Sequence, residues 1–224
     1  MIRLDSVSKV YDRAGVPIAA LRGVSLEIPE GQFAVIMGPS GSGKSTLLHI
    51  LGFLDDDYDG AYRFGGRLVS RSSPDELSRL RNRAVGFVFQ SFHLLPQLSI
   101  LDNVALPALY ARDRSPAACR NAARERLEQL GLGDRLEHRP GELSVGQRQR
   151  AAIARALVNG PRVLLADEPT GSLDSRTARE ILDIFRSLHQ GGATIVMVTH
   201  DAEVAEAGER IVHVRDGQIH DGLV

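Results

Sequence analysis

The sequence predicts an α/β fold, a mostly parallel sheet with helices on both faces. Three observations carry that prediction. Nearly continuous apolar runs read as buried strands: FAVIM (33–37), VGFVFQ (85–90), RVLLADEP (162–169) and ATIVMVTH (193–200). Segments with helical apolar spacing separate them. The chain has 224 residues with 43% hydrophobic content, enough for a substantial core.

Taken in order, IRLDSVSKV (2–10) alternates apolar and polar residues, and GVSLEI (23–28) and QFAVIM (32–37) flank the turn PEG. An antiparallel sheet is therefore expected in the first 35 residues. FAVIM runs into GPSGSGKST (38–46) and then LLHILG (47–52), a strand, a glycine loop and a helix. The stretch up to about residue 83 is variable and carries no clear element. After VGFVFQ, the segment SFHLLPQLSILDNVALP (91–107) is proline-punctuated and reads as irregular. PAACRNAARERLEQL (116–130) has helical spacing and ends at Gly131, so an amphipathic helix is expected. A second helix opens at Ser144 and runs to about Asn159, with Ile153, Ala154, Leu157 and Val158 on one face; TAREILDIFRSLHQ (177–190) is a third. No repeat, linker or low-complexity tract divides the chain, which reads as a single domain over 1–224.

Bulk properties narrow the function. A formal charge of -1 and a pI near 6.7 argue against a broad phosphate-neutralising surface, so nucleic acid is not an expected partner. The single cysteine, Cys119, cannot form an internal disulfide and reads as an inert helix residue. Apolar runs fall short of the roughly 18–20 residues that span a bilayer, and MIRLDSVSKVYD lacks the apolar segment of an export signal. A cytoplasmic protein is expected. Of 27 basic residues 25 are arginine, which makes the two lysines, Lys9 and Lys44, informative.

The loop GPSGSGKS satisfies the glycine, four residues, glycine, lysine, serine pattern between a strand and a helix. Glycines let backbone N–H groups curl around phosphate oxygens, and the helix start adds its positive end. Gly38, Pro39, Ser40, Gly41, Ser42, Gly43, Lys44, Ser45 and Thr46 are the candidate nucleotide-binding residues, with Lys44 reaching the terminal phosphates and Ser45 a magnesium ligand. Asp167 ends an apolar strand at the carboxyl edge of the sheet, where it would hold magnesium directly or through water. Glu168 beside it could orient and polarise an attacking water. His200 follows another strand at the same edge and could bond the terminal phosphate or position the water. Gln90 closes VGFVFQ and can present its amide to magnesium or to the water.

In GELSVGQRQR (141–150), Ser144 is expected as an N-cap and Val145 as the first helical residue. Gly146, without a Cβ, would let a phosphate approach its backbone N–H. The phosphate loop, Gln90, LSVGQ, ADEP, SLD and His200 occur in this order, and together they resemble the ATP-binding cassette (ABC) ATPases along essentially the whole chain. Within them, GFVFQSFHLLP, LDNVALP, QRQRAAIARAL and ADEPTGSLD resemble the branch that powers lipoprotein release, macrolide or peptide export and the cell-division complex.

The resemblance implies a RecA-like core over 1–90 and 161–224 with a small antiparallel β-subdomain, and an inserted helical subdomain over about 91–160. It implies a head-to-tail homodimer with two ATP molecules at the interface. Each ATP, with Mg2+, would touch the phosphate loop of one subunit and Ser144, Gly146 and Gln147 of the other. Tyr11 matches the aromatic that stacks on adenine, and Asp174 of SLD would cross the interface. The pattern has glycine where this chain has Val145. Membrane permease subunits would dock on the segment after Gln90, placing the chain on the cytoplasmic face of the inner membrane. The expected role is to power export or extraction of a hydrophobic, peptide or lipidated substrate. The alternative is a mechanical regulator that signals through a membrane partner to a cell-wall enzyme without transport. A phosphate-loop kinase would have no use for LSVGQ.

Overall fold

A computed structural model describes residues 1–220. Strands β1 (Ile2–Arg13), β2 (Val16–Ile28) and β3 (Phe33–Met37) lead into helix α1 (Lys44–Leu51), then β4 (Asp59–Phe64), β5 (Arg67–Leu68) and α2 (Pro74–Ala84). Next come β6 (Val85–Phe89), α3 (Ile100–Ala111), α4 (Pro116–Gln129) and α5 (Val145–Leu157). The chain closes with β7 (Val163–Asp167), α6 (Ser175–Gln190), β8 (Thr194–Thr199), α7 (Ala202–Ala205), β9 (Arg210–Arg215) and β10 (Gln218–His220). Its internal contacts divide it into two compact units, Met1–Ser78 with the chain from His189 onward, and Arg79–Leu188. Among the described residues no helix is long and apolar enough to cross a membrane.

The first unit holds an antiparallel sheet in the order β2-β1-β4-β5. Its other strands pair around β3, which is parallel to both β8 and β9, with β10 antiparallel to β9. The expected antiparallel sheet thus contains β1 and β2, but FAVIM leaves it. Phe33, Ala34, Val35 and Ile36 are all fully buried, and a strand with no polar face belongs where both faces are covered. In β1 the alternation of inward residues changes phase. Ile2 and Leu4 point in, Ser6 takes φ 51°, and the register slips so that Val7 and Lys9 point in next.

Stretches that the sequence leaves blank or irregular also contain elements. Residues 59–68 form a hairpin of β4 and β5 turning at Gly65 and Gly66, and α2 starts at Pro74 with Asp75 and Glu76 in its first turn. In the second unit, β6 and β7 run parallel, and α3, α4 and α5 share a core that includes Ile100, Val104, Cys119, Leu127 and Ala154. The reading of 91–107 as irregular is corrected here. Only the first part is loop; from Ile100 the chain is helical, with Pro107 inside α3. Ser99 caps this helix by accepting from the Asp102 N–H at 3.1 Å. Fully buried Asn103 holds the loop, accepting from the Leu95 N–H and donating to the carbonyls of Leu95, Leu98 and Ser99. The Pro107 carbonyl accepts from the amides of Asn82 and Asn159, which fasten this helix where its proline weakens it.

Candidate functional site

The loop between β3 and α1 has the conformation its glycines predict. Gly41 and Gly43 have φ of 77° and 104°, in the left-handed region that other side chains avoid. Gly38 and Gly43 are also tightly approached: a Cβ would stand 2.0 Å from the Val214 carbonyl oxygen in one case and 2.4 Å from that of Ala20 in the other. Gly43 caps α1 without a side-chain hydrogen bond, and the first turn of α1 contains no acidic residue. No acidic side chain of that turn therefore competes for its N–H groups or for the positive end of the helix. Lys44 is nearly buried, its ammonium donating to the carbonyls of Gly38 at 2.8 Å and Pro39 at 2.9 Å. The Ser42 hydroxyl is buried without a hydrogen-bond partner. A glycine-rich turn at a helix start with one orphaned buried hydroxyl fits a polyphosphate. Lys44→Ala should weaken ATP binding by about tenfold or more, the value of a charge-assisted hydrogen bond. Equilibrium dialysis showing unchanged affinity would remove Lys44 from the site.

Met37 at the end of β3 pairs with Thr199 at the end of β8, so His200 leaves the sheet at the same edge as the phosphate loop. The Thr199 hydroxyl accepts from the Asp201 N–H at 3.1 Å, and Asp201 caps α7, which fixes the turn just after His200. Tyr11 lies in the same unit on β1. It is 38% exposed rather than a core aromatic, and its hydroxyl donates to Asp55 at 2.8 Å.

The second unit carries the acidic strand end. Phe89 pairs with Asp167 across β6 and β7, so Gln90 and Glu168 emerge side by side at one edge. Glu168 takes φ 47°, a left-handed conformation that costs a glutamate of the order of 1 kcal/mol or more. The turn closes by a 3.1 Å bond from the Gly171 N–H to the Glu168 carbonyl, and a Cβ at Gly171 would stand 2.9 Å from the Gln90 amide nitrogen. Gly171 therefore lets the Gln90 amide rest on the turn that carries Glu168. Of the metal candidates, Gln90 and Asp167 lie in this unit and are hard oxygen donors with one carboxylate, a chemistry that suits Mg2+; Ser45, a hydroxyl oxygen, belongs to the first unit. Among the described residues no cluster of three His, Cys, Asp or Glu offers a different kind of metal site.

At LSVGQ, Ser144 is the N-cap of α5. Its hydroxyl accepts from the Gln147 N–H at 3.2 Å while the Gln147 side chain accepts from the Ser144 N–H at 2.9 Å. Val145 occupies the first helical position and is 37% exposed. A Cβ on Gly146 would stand 2.5 Å from the Thr177 methyl. Thr177 is itself pinned, its N–H and hydroxyl donating to Asp174 at 3.0 and 2.7 Å. These two groups of Thr177 hold the Asp174 carboxyl below the usual carboxylate range.

The candidate residues thus fall into two sets. Tyr11, Gly38 to Thr46 and His200 belong to the first unit; Gln90, Ser144, Gly146, Gln147, Asp167, Glu168 and Asp174 belong to the second. Asp55, Gly171 and Thr177 also line these sites, and Lys9 holds Asp55. Of these, only Lys9 had a signal in the sequence, the rarity of lysine.

Residues 21–171 match the family model described as ABC transporter. An ABC transporter ATP-binding protein of Thermotoga maritima, itself uncharacterised, is 54% identical over 98% of this chain and 93% of its own length. The macrolide export ATP-binding/permease protein MacB of Chlorobaculum tepidum is 49% identical over 99% of this chain, which spans only 34% of MacB. Among solved structures, the dimeric post-hydrolysis state of the ATP-binding cassette MJ0796 bound to ADP and Pi superposes with a TM-score of 0.90 at 43% identity. That match covers 98% of this chain and 97% of the other.

Proposed function

This chain belongs to the ABC transporter family, as an ATPase of that family, and on that premise we propose that it is the motor subunit of an exporter or extractor of hydrophobic, peptide or lipidated substrates. The observation that carries the transport reading is the kinship with MacB, in which a stretch like this chain takes up about a third of an export ATP-binding/permease protein. In this reading the chain works with a membrane permease at the cytoplasmic face of the inner membrane.

In the cycle we propose, two copies pair head to tail. ATP lies on Gly38 to Thr46 of one copy with Tyr11 against its base, and the start of α5 in the other copy, Ser144 to Gln147, meets its terminal phosphate. Mg2+, held by Ser45, Gln90 and Asp167, would neutralise charge on the transferred phosphoryl group. Glu168 takes a proton from the attacking water. His200, which follows β8 beside the phosphate loop, holds the terminal phosphate, and Asp174 crosses to the second site. Binding closes the pair and hydrolysis reopens it.

A 280 Å3 cavity in the second unit suits the membrane partner. Its lining includes Phe87, Phe89, His93, Pro107 and Arg155. Phe87 and Phe89 stack at 5.2 Å, and Phe89 meets the His93 ring at 4.7 Å. The Arg155 guanidinium donates to the carbonyls of Phe92 and His93, which fixes the loop after Gln90 along the cavity. An apolar pocket beside the loop that bears a magnesium ligand can relay partner movement to the site. Phe87→Asp should abolish stimulation of ATPase activity by the permease while leaving activity of the isolated chain within about twofold, as for a partner anchor. The deciding experiment is reconstitution of the chain with the permease it co-purifies with, followed by assay of ATP-dependent movement of a lipopeptide or macrolide. Stimulated hydrolysis without movement, coupled instead to activation of a cell-wall hydrolase, would replace transport by regulation.

A further inference from the structure

Both lysines of this arginine-rich chain are nearly buried, and both ammonium groups point at converging oxygens. Lys44 belongs to the phosphate loop, but nothing in that site accounts for Lys9. The slip at Ser6 turns Lys9 inward and leaves its apolar neighbour Val10 52% exposed, an inversion that a regular strand of this pattern would avoid. Its ammonium donates to Asp55 Oδ1 at 2.8 Å, to the Asp57 backbone carbonyl, and to Asp57 Oδ2 at 3.2 Å. It also sits 4.8 Å from the centroid of the Tyr11 ring. The second oxygen of Asp55 accepts from the Tyr11 hydroxyl at 2.8 Å. Asp55 is in turn tied to α1, because the N–H groups of Leu54 and Asp55 both reach the His49 carbonyl. Burial opposes ionisation of Asp55, yet the hydrogen bonds from Lys9 and Tyr11 keep its carboxyl below the usual range.

We propose that Lys9 and Asp55 are positioning residues that hold the Tyr11 ring for the nucleotide base, with Asp55 anchored on the end of α1. The proposal rests on the reading of Tyr11 as the base-stacking residue. A half-exposed ring near the end of a long hairpin strand would otherwise sample several rotamers, and binding would have to freeze it. Held by its hydroxyl and by a cation near its ring, it is set in place beforehand. Lysine suits the task because three protons from one tetrahedral centre meet three oxygens. The planar fork of arginine does not match that set, which accounts for a lysine at this position of an arginine-rich chain.

The test compares binding of Mg-ATP with binding of Mg-tripolyphosphate, which keeps the phosphates and lacks the base, by titration calorimetry and competition. Lys9→Met, Asp55→Asn and Tyr11→Phe should each weaken ATP about three- to tenfold, the value of one or two hydrogen bonds, and leave tripolyphosphate unchanged. Lys9→Arg should fail to restore ATP affinity. Equal weakening of both ligands by Lys9→Met would mean a structural prop for α1 and overturn the proposal. If Lys9→Met does not yield folded protein, Tyr11→Phe, which removes one hydroxyl, decides: unchanged ATP affinity overturns the hold by Asp55. Tyr11→Ala separates the two levels of the argument. If it weakens ATP while Lys9→Met and Tyr11→Phe do not, stacking stands and the positioning role fails; if Tyr11→Ala itself leaves ATP affinity unchanged, the stacking reading fails and the proposal with it.

Discussion

Glu168→Gln is expected to bind ATP normally, accumulate an ATP-bound dimer, and lose hydrolysis by at least about a hundredfold, the lower range for removal of a general base. The side chain keeps its volume and a hydrogen-bonding oxygen but can no longer accept the proton of water. Geometry makes the loss specific. Glu168 is thrown to the sheet edge by a left-handed residue directly after β7, and the Gln90 amide rests on the same turn beside Gly171. A backbone held in that conformation by a residue other than glycine points to a role for the side chain it presents. Single-turnover hydrolysis and size-exclusion chromatography in ATP check both halves of the prediction. A variant that hydrolyses at the normal rate would take Glu168 out of the catalytic role.

Gly146→Val should abolish ATPase activity and also lower stability by about 1–3 kcal/mol, the usual cost of overpacking. The β-carbon alone would stand 2.5 Å from the Thr177 methyl, and the Thr177 side chain cannot turn aside without breaking its hydroxyl's bond to Asp174. Either the start of α5 moves, or the turn bearing Asp174 does. Val145→Gly, one residue earlier and 37% exposed, should change activity by no more than about twofold, because only helix propensity is altered. Comparable losses from both would contradict the placement of the helix start. Steric and phosphate roles of Gly146 can be separated with Gly146→Ala combined with Thr177→Ser, which removes the offending methyl and keeps the hydroxyl on Asp174. Recovery of thermal stability without recovery of hydrolysis would assign the glycine to phosphate approach as well as to packing.

The same pair of residues shows where reading the chain stops. LSVGQ announces a capped helix start, and the structure has that cap, with Ser144 and Gln147 bonded reciprocally. Sequence reasoning assigned Gly146 to a phosphate; its contact with Thr177, on another helix, has no trace in the local pattern. Pro107 misled in the opposite direction. A proline suggested broken structure, yet α3 passes through it because Asn82 and Asn159 fasten its carbonyl from outside the helix.

By itself the sequence determined the buried strands, the phosphate loop, the acidic strand end, the start of α5 and the family. Each is written in a few consecutive residues, since apolar runs, glycine conformations and capping bonds act over one or two turns of chain. Only the tertiary structure decided that Lys9 faces inward and that Tyr11 is held by Asp55. Those outcomes depend on which distant surfaces pack together. Lys9 and Asp55 are 46 residues apart, and a single slipped residue in β1 chooses which side chain reaches the other.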